Sequence, residues 1–323
     1  MSRSPDWTVP AGAQPKPEDY HYDLDRALGA VVGIRSIVPA DAFSAETLGT
    51  ERAGNGVLVR DGVVLTIGYL ITEAEQIWLT FSDGRVAPGH VLGFDQETGF
   101  GIVQALARVD IEPINMGESG ALQVGERVVV GGAGGRHHSV AARVAARQEF
   151  AGYWEYVLDE AIFTAPAHPN WGGTALIGSQ GDLQGIGSLQ LEQPREQGTE
   201  HLNMVVPIDL LKPIFDDLLT LGRRNQPPRP WLGLYATEVN DRVVVVGMSS
   251  RGPARKADLR TGDVLLAVGG TEVSDLAGLF RRIWAQGSAG VDVPLTIYRD
   301  GKTFELHVPS ADRRRFLKAP RLH

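Results

Sequence analysis

The sequence predicts a fold dominated by β-strands, with antiparallel barrels or a sandwich in its first two thirds. Short apolar runs rich in Val, Ile and Leu recur along this region, separated by turn signals such as Asp61-Gly62, and this spacing is typical of antiparallel strands. The 39 glycines and 19 prolines favour turn-rich β structure over a helical bundle. The length of 323 residues predicts two or three domains at roughly 150 residues each.

Composition excludes several classes of protein. Hydrophobic residues make up 43% and charged residues 22%, as in ordinary globular chains rather than disordered ones. With 31 Lys and Arg against 39 Asp and Glu, the formal charge is −8, which disfavours nucleic acid as the main partner. Since there is no cysteine, disulfides, thiolate metal sites and a cysteine nucleophile are excluded. We predict no cofactor and no metal.

The sequence also bears on location. No segment approaches the roughly 18 consecutive apolar residues of a membrane span, so we expect none. The first 25 residues lack the apolar core of a secretory signal. We therefore expect a cytoplasmic protein, with the periplasm as the alternative if the chain is a processed form.

The first two segments differ in composition. Residues 1–24 are rich in Pro, Ser and Ala and are predicted to be a flexible arm. Residues 25–222 contain the recurring strand-like runs and end in a predicted helix over 208–221, where apolar residues recur every three or four positions. We expect Pro213 in the first turns of that helix, where a missing N–H costs least.

Three further segments follow. Prolines and charges predict a linker at 223–230. Residues 231–310 are predicted to be a compact α+β unit with a helix near 274–286. Residues 311–323 form a basic tail, which we expect to be solvated rather than bound to nucleic acid or anionic lipid.

A series of motifs resembles the HtrA (DegP-like) family of serine proteases, in which a trypsin-like double antiparallel β-barrel precedes a PDZ domain. The matching segments are 54–59 (GNGVLV), 61–66 (DGVVLT), 79–85 (LTFSDGR), 93–95 (GFD), 116–126, 202–207 (LNMVVP) and, in the third unit, 252–265 (GPARKADLRTGDVL). Each piece alone is weak, but their order and spacing together are specific. The resemblance covers roughly residues 28–310 and implies this fold.

The resemblance also implies a catalytic triad of His, Asp and Ser. This chain departs from the family at the His and Asp positions, which both precede the nucleophile loop. Where the family has His, this chain has Tyr69, whose phenol, with a pKa near 10, cannot act as a base near pH 7. Where the family has Asp, this chain has Gly99. Asp95 and Glu97 are near in sequence, but a shift of two residues at a strand end changes a side chain's direction and reach.

The nucleophile motif departs in the same way. Trp171 stands where the family has Ser, and a shifted alignment places Gly172 there instead, so neither alignment supplies a hydroxyl. Pro169 replaces a glycine whose N–H helps to form the oxyanion hole, and proline has no N–H. We therefore predict that the chain is not an enzyme but a pseudoprotease, a serine protease homologue with a degenerate triad.

Two alternatives stay open. His168 with Thr174 or Ser179 could form a displaced catalytic pair, although we expect these residues to satisfy turns. His137 and His138 could bind metal, but adjacent residues on an extended segment point in opposite directions.

The PDZ-like unit retains the features of a binding site. A PDZ domain holds an extended chain on a sheet edge while loop N–H groups capture the terminal carboxylate. Residues 230–234 resemble the family's carboxylate loop. We predict that this site binds a protein or peptide C-terminus, and that the chain acts as a scaffold or assembly factor. The predicted peptide-binding residues are Trp231, Leu232, Gly233, Leu234, Leu276, Leu279, Phe280 and Ile283.

The resemblance finally implies assembly. Family members commonly trimerise through aromatic contacts before the first barrel, and Trp7, Tyr20 and Tyr22 are the candidates here. We expect a homotrimer or a hetero-assembly.

Overall fold

The structure is a computed structural model that describes residues 7–195 and 198–319. The described residues form two compact units. The first contains the residues up to 148 with 160–225 and residue 319, and the second contains 149–159 with 226–318. The predicted β-dominated fold class is confirmed, and the first unit consists of two closed barrels rather than a sandwich.

The first barrel has six antiparallel strands in the order β1-β2-β3-β6-β5-β4. Its elements are α1 (Leu24–Gly29), β1 (Val31–Ile37), α2 (Ala45–Leu48), β2 (Glu51–Arg60), β3 (Val63–Ile67), β4 (Gln76–Thr80), β5 (Val86–Phe94) and β6 (Phe100–Ala105). In β4, Ile77 and Leu79 are buried while Trp78 between them is exposed. This alternation buries one face of each short strand in the barrel core.

The second barrel has the order β10-β11-β12-β9-β8-β7. Its strands are β7 (Arg127–Gly131), β8 (Ser139–Gly152), β9 (Tyr156–Ala165), β10 (Ala175–Ile177), β11 (Leu183–Arg195) and β12 (Gly198–Pro207). Val130, Leu176 and Val205 are fully buried in its core. The β8–β9 hairpin is long, and residues 149–159, which we call the hairpin tip, belong to the second unit.

The N-terminal segment differs from the predicted flexible arm. Val9 is only 2% exposed and joins the core of the second barrel, and its N–H donates to a backbone carbonyl before β8 at 2.8 Å. Trp7 packs edge-on against the His138 ring. Composition suggested an unstructured segment, but a few apolar side chains suffice to anchor it on the barrel. Residues 1–6 of the predicted arm lie outside the described residues.

The predicted helix at 208–221 is shorter than expected. Only α3 (Phe215–Leu221) is α-helical, and it follows two 3₁₀ turns at Ile208–Leu210 and Lys212–Ile214. Pro213 lies in the second turn and has no N–H to donate to an α-helical ladder, so the α-helix begins after it. Across the part of the chain that the structure describes, no helix is long and apolar enough to cross a membrane.

The second unit is a sheet in the order β13-β14-β15-β17-β18, with β16 paired to β15. Its elements are β13 (Leu234–Val239), β14 (Arg242–Met248), α4 (Pro253–Lys256), β15 (Val264–Val268), β16 (Thr271–Glu272), α5 (Leu276–Trp284), β17 (Asp292–Arg299) and β18 (Lys302–Pro309). The predicted helix near 274–286 is confirmed as α5. Asp275 caps it by accepting the Gly278 N–H at 2.6 Å.

The segment after β18 also differs from the predicted solvated tail. Arg313–Phe316 forms a 3₁₀ turn, and the Phe316 ring lies 5.0 Å from the Trp231 ring. Ala311 pairs with Trp231 as an isolated β-bridge. The basic composition did not reveal the aromatic contact that holds this segment. Residues 320–323 lie outside the described residues.

Candidate functional site

Two of the predicted triad positions contact each other. Tyr69 lies in a 3₁₀ turn after β3, and its hydroxyl donates to the Ser188 carbonyl oxygen at 2.8 Å. Burial raises the pKa of the Tyr69 phenol, and a hydrogen bond with the Trp171 side chain counters this rise only in part. The phenol therefore holds its proton at physiological pH and cannot accept another from an attacking oxygen.

The third triad position lies beside the same turn without a carboxylate. The Gly68 N–H donates to the Gly99 carbonyl oxygen at 2.6 Å. The nearby acids have another partner, because Arg224 pairs with Asp95 at 3.0 Å and with Glu97 at 3.1 Å. These carboxylates therefore anchor the segment that follows α3 rather than orient a base.

The loop at the nucleophile position is held by its own backbone. The Thr174 hydroxyl and the Thr174 N–H both donate to the Trp171 carbonyl oxygen, at 2.9 and 3.2 Å. Asn55 on β2 holds the Gly172 carbonyl through its N–H at 2.8 Å. Gly173 has a φ of +76°, and a Cβ on it would lie 1.8 Å from the Asn55 carbonyl oxygen. Pro169, at the other end of the loop, contributes no N–H.

His168, the base of the displaced pair considered above, is fully buried. Its Nδ1 accepts the Asn170 N–H at 3.0 Å, so its proton sits on Nε2, which donates to the His138 carbonyl oxygen at 2.7 Å. Both ring nitrogens are therefore used by the backbone, and neither has a lone pair directed at Thr174. Ser179 lies exposed after β10.

The candidate metal ligands do not converge. His137 Nδ1 lies 3.1 Å from the Gln14 side-chain oxygen, and His138 Nδ1 lies 3.2 Å from the Gly134 carbonyl oxygen. Within residues 7–195 and 198–319, no three His, Asp or Glu side chains come together as a metal site requires.

In the second unit, the predicted carboxylate loop (residues 230–234) has the geometry of an anion cradle. Gly233 has a φ of +75°, which turns the N–H groups of Leu232, Gly233 and Leu234 toward one point. All three donate to the carboxylate of Glu155, at 2.6 to 3.2 Å. Sequence reasoning missed Glu155, because no motif near it signals an approach to a loop 77 positions further along the chain.

The remaining predicted groove residues divide between groove and core. Leu276, with Ala277, lines a cavity of about 360 Å³ between β13 and α5. Leu279, Phe280 and Ile283 are fully buried in the core of the unit. Trp231 is buried against Phe316. The helix therefore presents its first turn to the groove and its later apolar residues to the sheet.

Comparisons with known proteins match both units. A family model described as a trypsin-like peptidase domain matches residues 54–186, and one described as a PDZ domain matches residues 230–309. The predicted resemblance to HtrA proteases, with a trypsin-fold domain before a PDZ domain, is confirmed.

Individual relatives agree with these matches. The chain is 26% identical over 272 residues to a probable periplasmic serine endoprotease, DegP-like, of Hahella chejuensis, covering 80% of this chain and 56% of that protein. It is 26% identical over 288 residues to the serine endoprotease DegS of Haemophilus influenzae, covering 86% and 83%. The chain thus spans about half the length of the DegP-like relative.

Solved structures share the fold. The HtrA-type protease AlgW with a decapeptide superimposes with a TM-score of 0.56 at 19% identity, covering 92% of this chain and 98% of that one.

Proposed function

We propose that this chain, an HtrA-like protein with a trypsin-fold domain followed by a PDZ domain, is a noncatalytic protein that binds extended or C-terminal peptides. The PDZ domain is the recognition element, and the double barrel is the body of a scaffold or assembly factor.

The contact between Tyr69 and Trp171 carries the noncatalytic part of the proposal. A serine protease needs a hydroxyl nucleophile and a neighbouring base, and these two positions instead hold a phenol, bonded to the Ser188 carbonyl oxygen, and an indole that interacts with it. When triad groups are lost, the residual rate of such enzymes comes mainly from the oxyanion hole and substrate binding. Pro169 removes one donor from that hole as well.

A protease assay tests this part. Purified chain is incubated with fluorescein-labelled casein and with a fluorophosphonate that labels activated serines, beside an active HtrA protease as positive control. We expect neither turnover nor labelling. Turnover that disappears in Ser179→Ala or Thr174→Ala would establish a relocated active site and overturn the proposal. Metal analysis of the same preparation, with no bound transition metal expected, tests the alternative role of His137 and His138.

The cradle formed by the carboxylate loop supports the peptide-binding part. Three converging N–H groups suit a carboxylate, and the adjoining edge of β13 suits an extended chain. Co-purification from the native cell, compared with the Gly233→Asp variant, tests it. An Asp there meets the Trp231 ring at 2.9 Å and adopts a strained backbone. We expect the partners to be lost. Partners that persist would show that the groove is not the recognition element.

Location and assembly are part of the proposal. The DegP-like relative is named periplasmic, which favours the periplasmic alternative over the cytoplasmic expectation, and cell fractionation distinguishes the two. Trp7 and the Tyr20–Tyr22 ring pair contact groups of their own chain. Sedimentation of the purified chain tests the expected homotrimer or hetero-assembly.

A further inference from the structure

The hairpin tip occupies the carboxylate loop in the way a bound peptide terminus would. Glu155 Oε1 accepts the N–H of Gly233 at 2.6 Å and that of Leu234 at 3.1 Å, and the Leu232 N–H lies 3.2 and 3.1 Å from the two carboxylate oxygens. The side chain thus stands in for the α-carboxylate of a chain terminus.

The backbone of the hairpin tip extends this mimicry along β13. Two residues before Glu155, the Tyr153 carbonyl oxygen accepts the Ala236 N–H at 3.0 Å. Ala236 pairs with β14 on the other side, so this bond lies on the strand edge that faces the groove. The Tyr153 ring also packs edge-on against Tyr235, with 5.8 Å between the ring centres. The tip, which turns at residues 153–155, thus makes one backbone hydrogen bond to the strand edge that an extended ligand would occupy.

Contacts with α5 complete the docking. Arg281 on α5 pairs with Glu149 at 2.6 Å and also with Asp159, the first and last residues of the hairpin tip. Val157 is 8% exposed and belongs to the apolar core of this unit, and Ala151 packs against the same core. The tip thus contacts the loop, the strand and the helix that together form the groove.

The docked tip also carries backbone strain. Glu155 has a φ of +61°, a left-handed conformation that costs a non-glycine residue on the order of 1 kcal/mol. A turn selected only for its shape would place Gly or Asn there. The carboxylate bonds at this one residue offset the strain.

We propose that the hairpin tip is an internal ligand of the PDZ groove, so that an external chain terminus binds only by displacing it. This inference rests on the proposed peptide-binding function. It adds that the groove is occupied at rest and that binding is controlled by release of the tip. The partner chemistry that releases it is a free α-carboxylate on an extended chain.

The experiment uses the full chain and a probe taken from the tip itself. The probe is fluorescein-labelled Phe-Ala-Gly-Tyr-Trp-Val with a free C-terminal carboxylate. It copies residues 150–154 and places its Tyr two residues before the carboxylate, as Tyr153 lies before Glu155. Affinity is measured by fluorescence polarisation for the wild type, for Glu155→Ala and for Glu160→Gln. Glu160 lies on the same hairpin but pairs with Arg147, so its variant is the matched charge control.

We expect Glu155→Ala to bind the probe at least tenfold more tightly than the wild type and the Glu160→Gln variant, because the competing carboxylate is gone. The amidated probe should bind none of them. Equal affinity for the wild type and Glu155→Ala, or no binding by either, would overturn the proposal, because the groove would not accept the ligand that the tip represents.

Hydrogen exchange supplies a measurement that needs no probe. The amides of Leu232, Gly233, Leu234 and Ala236, which donate to the tip, should lose protection in Glu155→Ala. Strands β15 and β17 of the same unit should keep theirs, which verifies that the unit is folded. Unchanged protection would refute docking by Glu155. If protection is unchanged in Glu155→Ala but native partners are lost in Gly233→Asp, only the docking proposal fails and the proposed peptide-binding function stands. The failure of one proposal is therefore distinguishable from the failure of the other.

Discussion

Docking of the hairpin tip should depend on pH through Glu155. Burial raises the pKa of its carboxyl to about 7, although the N–H groups of the carboxylate loop and the nearby Arg313 favour the ionised form. When the tip is released, the carboxyl returns to solvent and its pKa to the ordinary 4.5. Between pH 4.5 and pH 7, the Glu155 carboxyl is protonated when the tip is docked and ionised when the tip is released. Docking is therefore strongest at low pH and weakens as the pH rises through 7.

The magnitude follows from the two pKa values. A pKa of about 7 against 4.5 corresponds to about 3 kcal/mol of docking free energy, present below pH 4.5 and lost by the time the pH has passed 7. From pH 5.5 to pH 7.5, and while most molecules are docked, the affinity of the wild type for an external peptide should rise on the order of 20-fold relative to that of Glu155→Ala.

The assay is a polarisation titration of the hexapeptide probe at pH 5.5, 6.5 and 7.5. The α-carboxylate of the unbound probe is ionised at all three pH values. Glu149 and Asp159, the residues of the tip that pair with Arg281, are present in both proteins, so Glu155→Ala serves as the control for every other titrating group. We expect the affinity of the wild type, divided by that of Glu155→Ala, to rise with pH, because any titration of the bound probe itself is common to the two proteins. Parallel pH profiles for the two proteins, or a ratio of affinities that falls as the pH rises, would refute the reasoning.

Three further predictions concern the stability of the barrels and are measured by urea unfolding. Gly173→Ala should lower the free energy of unfolding by about 3 kcal/mol because its Cβ would overlap the Asn55 carbonyl. Gly135 also has a positive φ but has open space around it, so Gly135→Ala should cost only about 1 kcal/mol. Equal losses in the two variants would contradict the overlap argument. Arg224→Ala should cost about 3 kcal/mol because it leaves the carboxylates of Asp95, which is 5% exposed, and Glu97 without their cation. An unchanged unfolding midpoint would show that these ion pairs do not stabilise the barrel. Tyr69→Phe should cost about 1 kcal/mol for its lost hydrogen bond to the Ser188 carbonyl oxygen and should yield no casein turnover. A gain in stability or new proteolysis would count against the assigned contact.

Much of the fold could be predicted from local patterns. The strand runs, the turn signals and the motif order lie within short windows of sequence, and the two barrels and the PDZ-like sheet follow them. The predictions are wrong where a single residue overrides what the composition or the hydrophobic periodicity of its segment predicts. Pro213 interrupted the predicted helix, and Val9 anchored a segment whose composition suggested a flexible arm.

The candidate site divides in the same way. That Tyr69 and Trp171 replace the expected base and nucleophile is readable from motif positions. Their contact with each other is not, because they are 102 positions apart (171 − 69) and come from different barrels. Likewise, the glycine of the carboxylate loop could be recognised from sequence. The residues of α5 that face the groove could not, because any of the four apolar residues on this helix is suited to either the core or the groove.

By itself, the sequence determined which chemical groups this protein has at each position, and a phenol or an indole lacks the proton chemistry of His or Ser in any fold. Only the tertiary structure decided that Glu155 occupies the carboxylate loop of the PDZ domain. The bonds from Glu155 to Leu232, Gly233 and Leu234 join parts of the chain 77 to 79 positions apart, and a contact at that separation depends on how far the β8–β9 hairpin reaches and where the loop is placed. Neither quantity is encoded in the residues near Glu155, so the self-occupied groove became visible only in three dimensions.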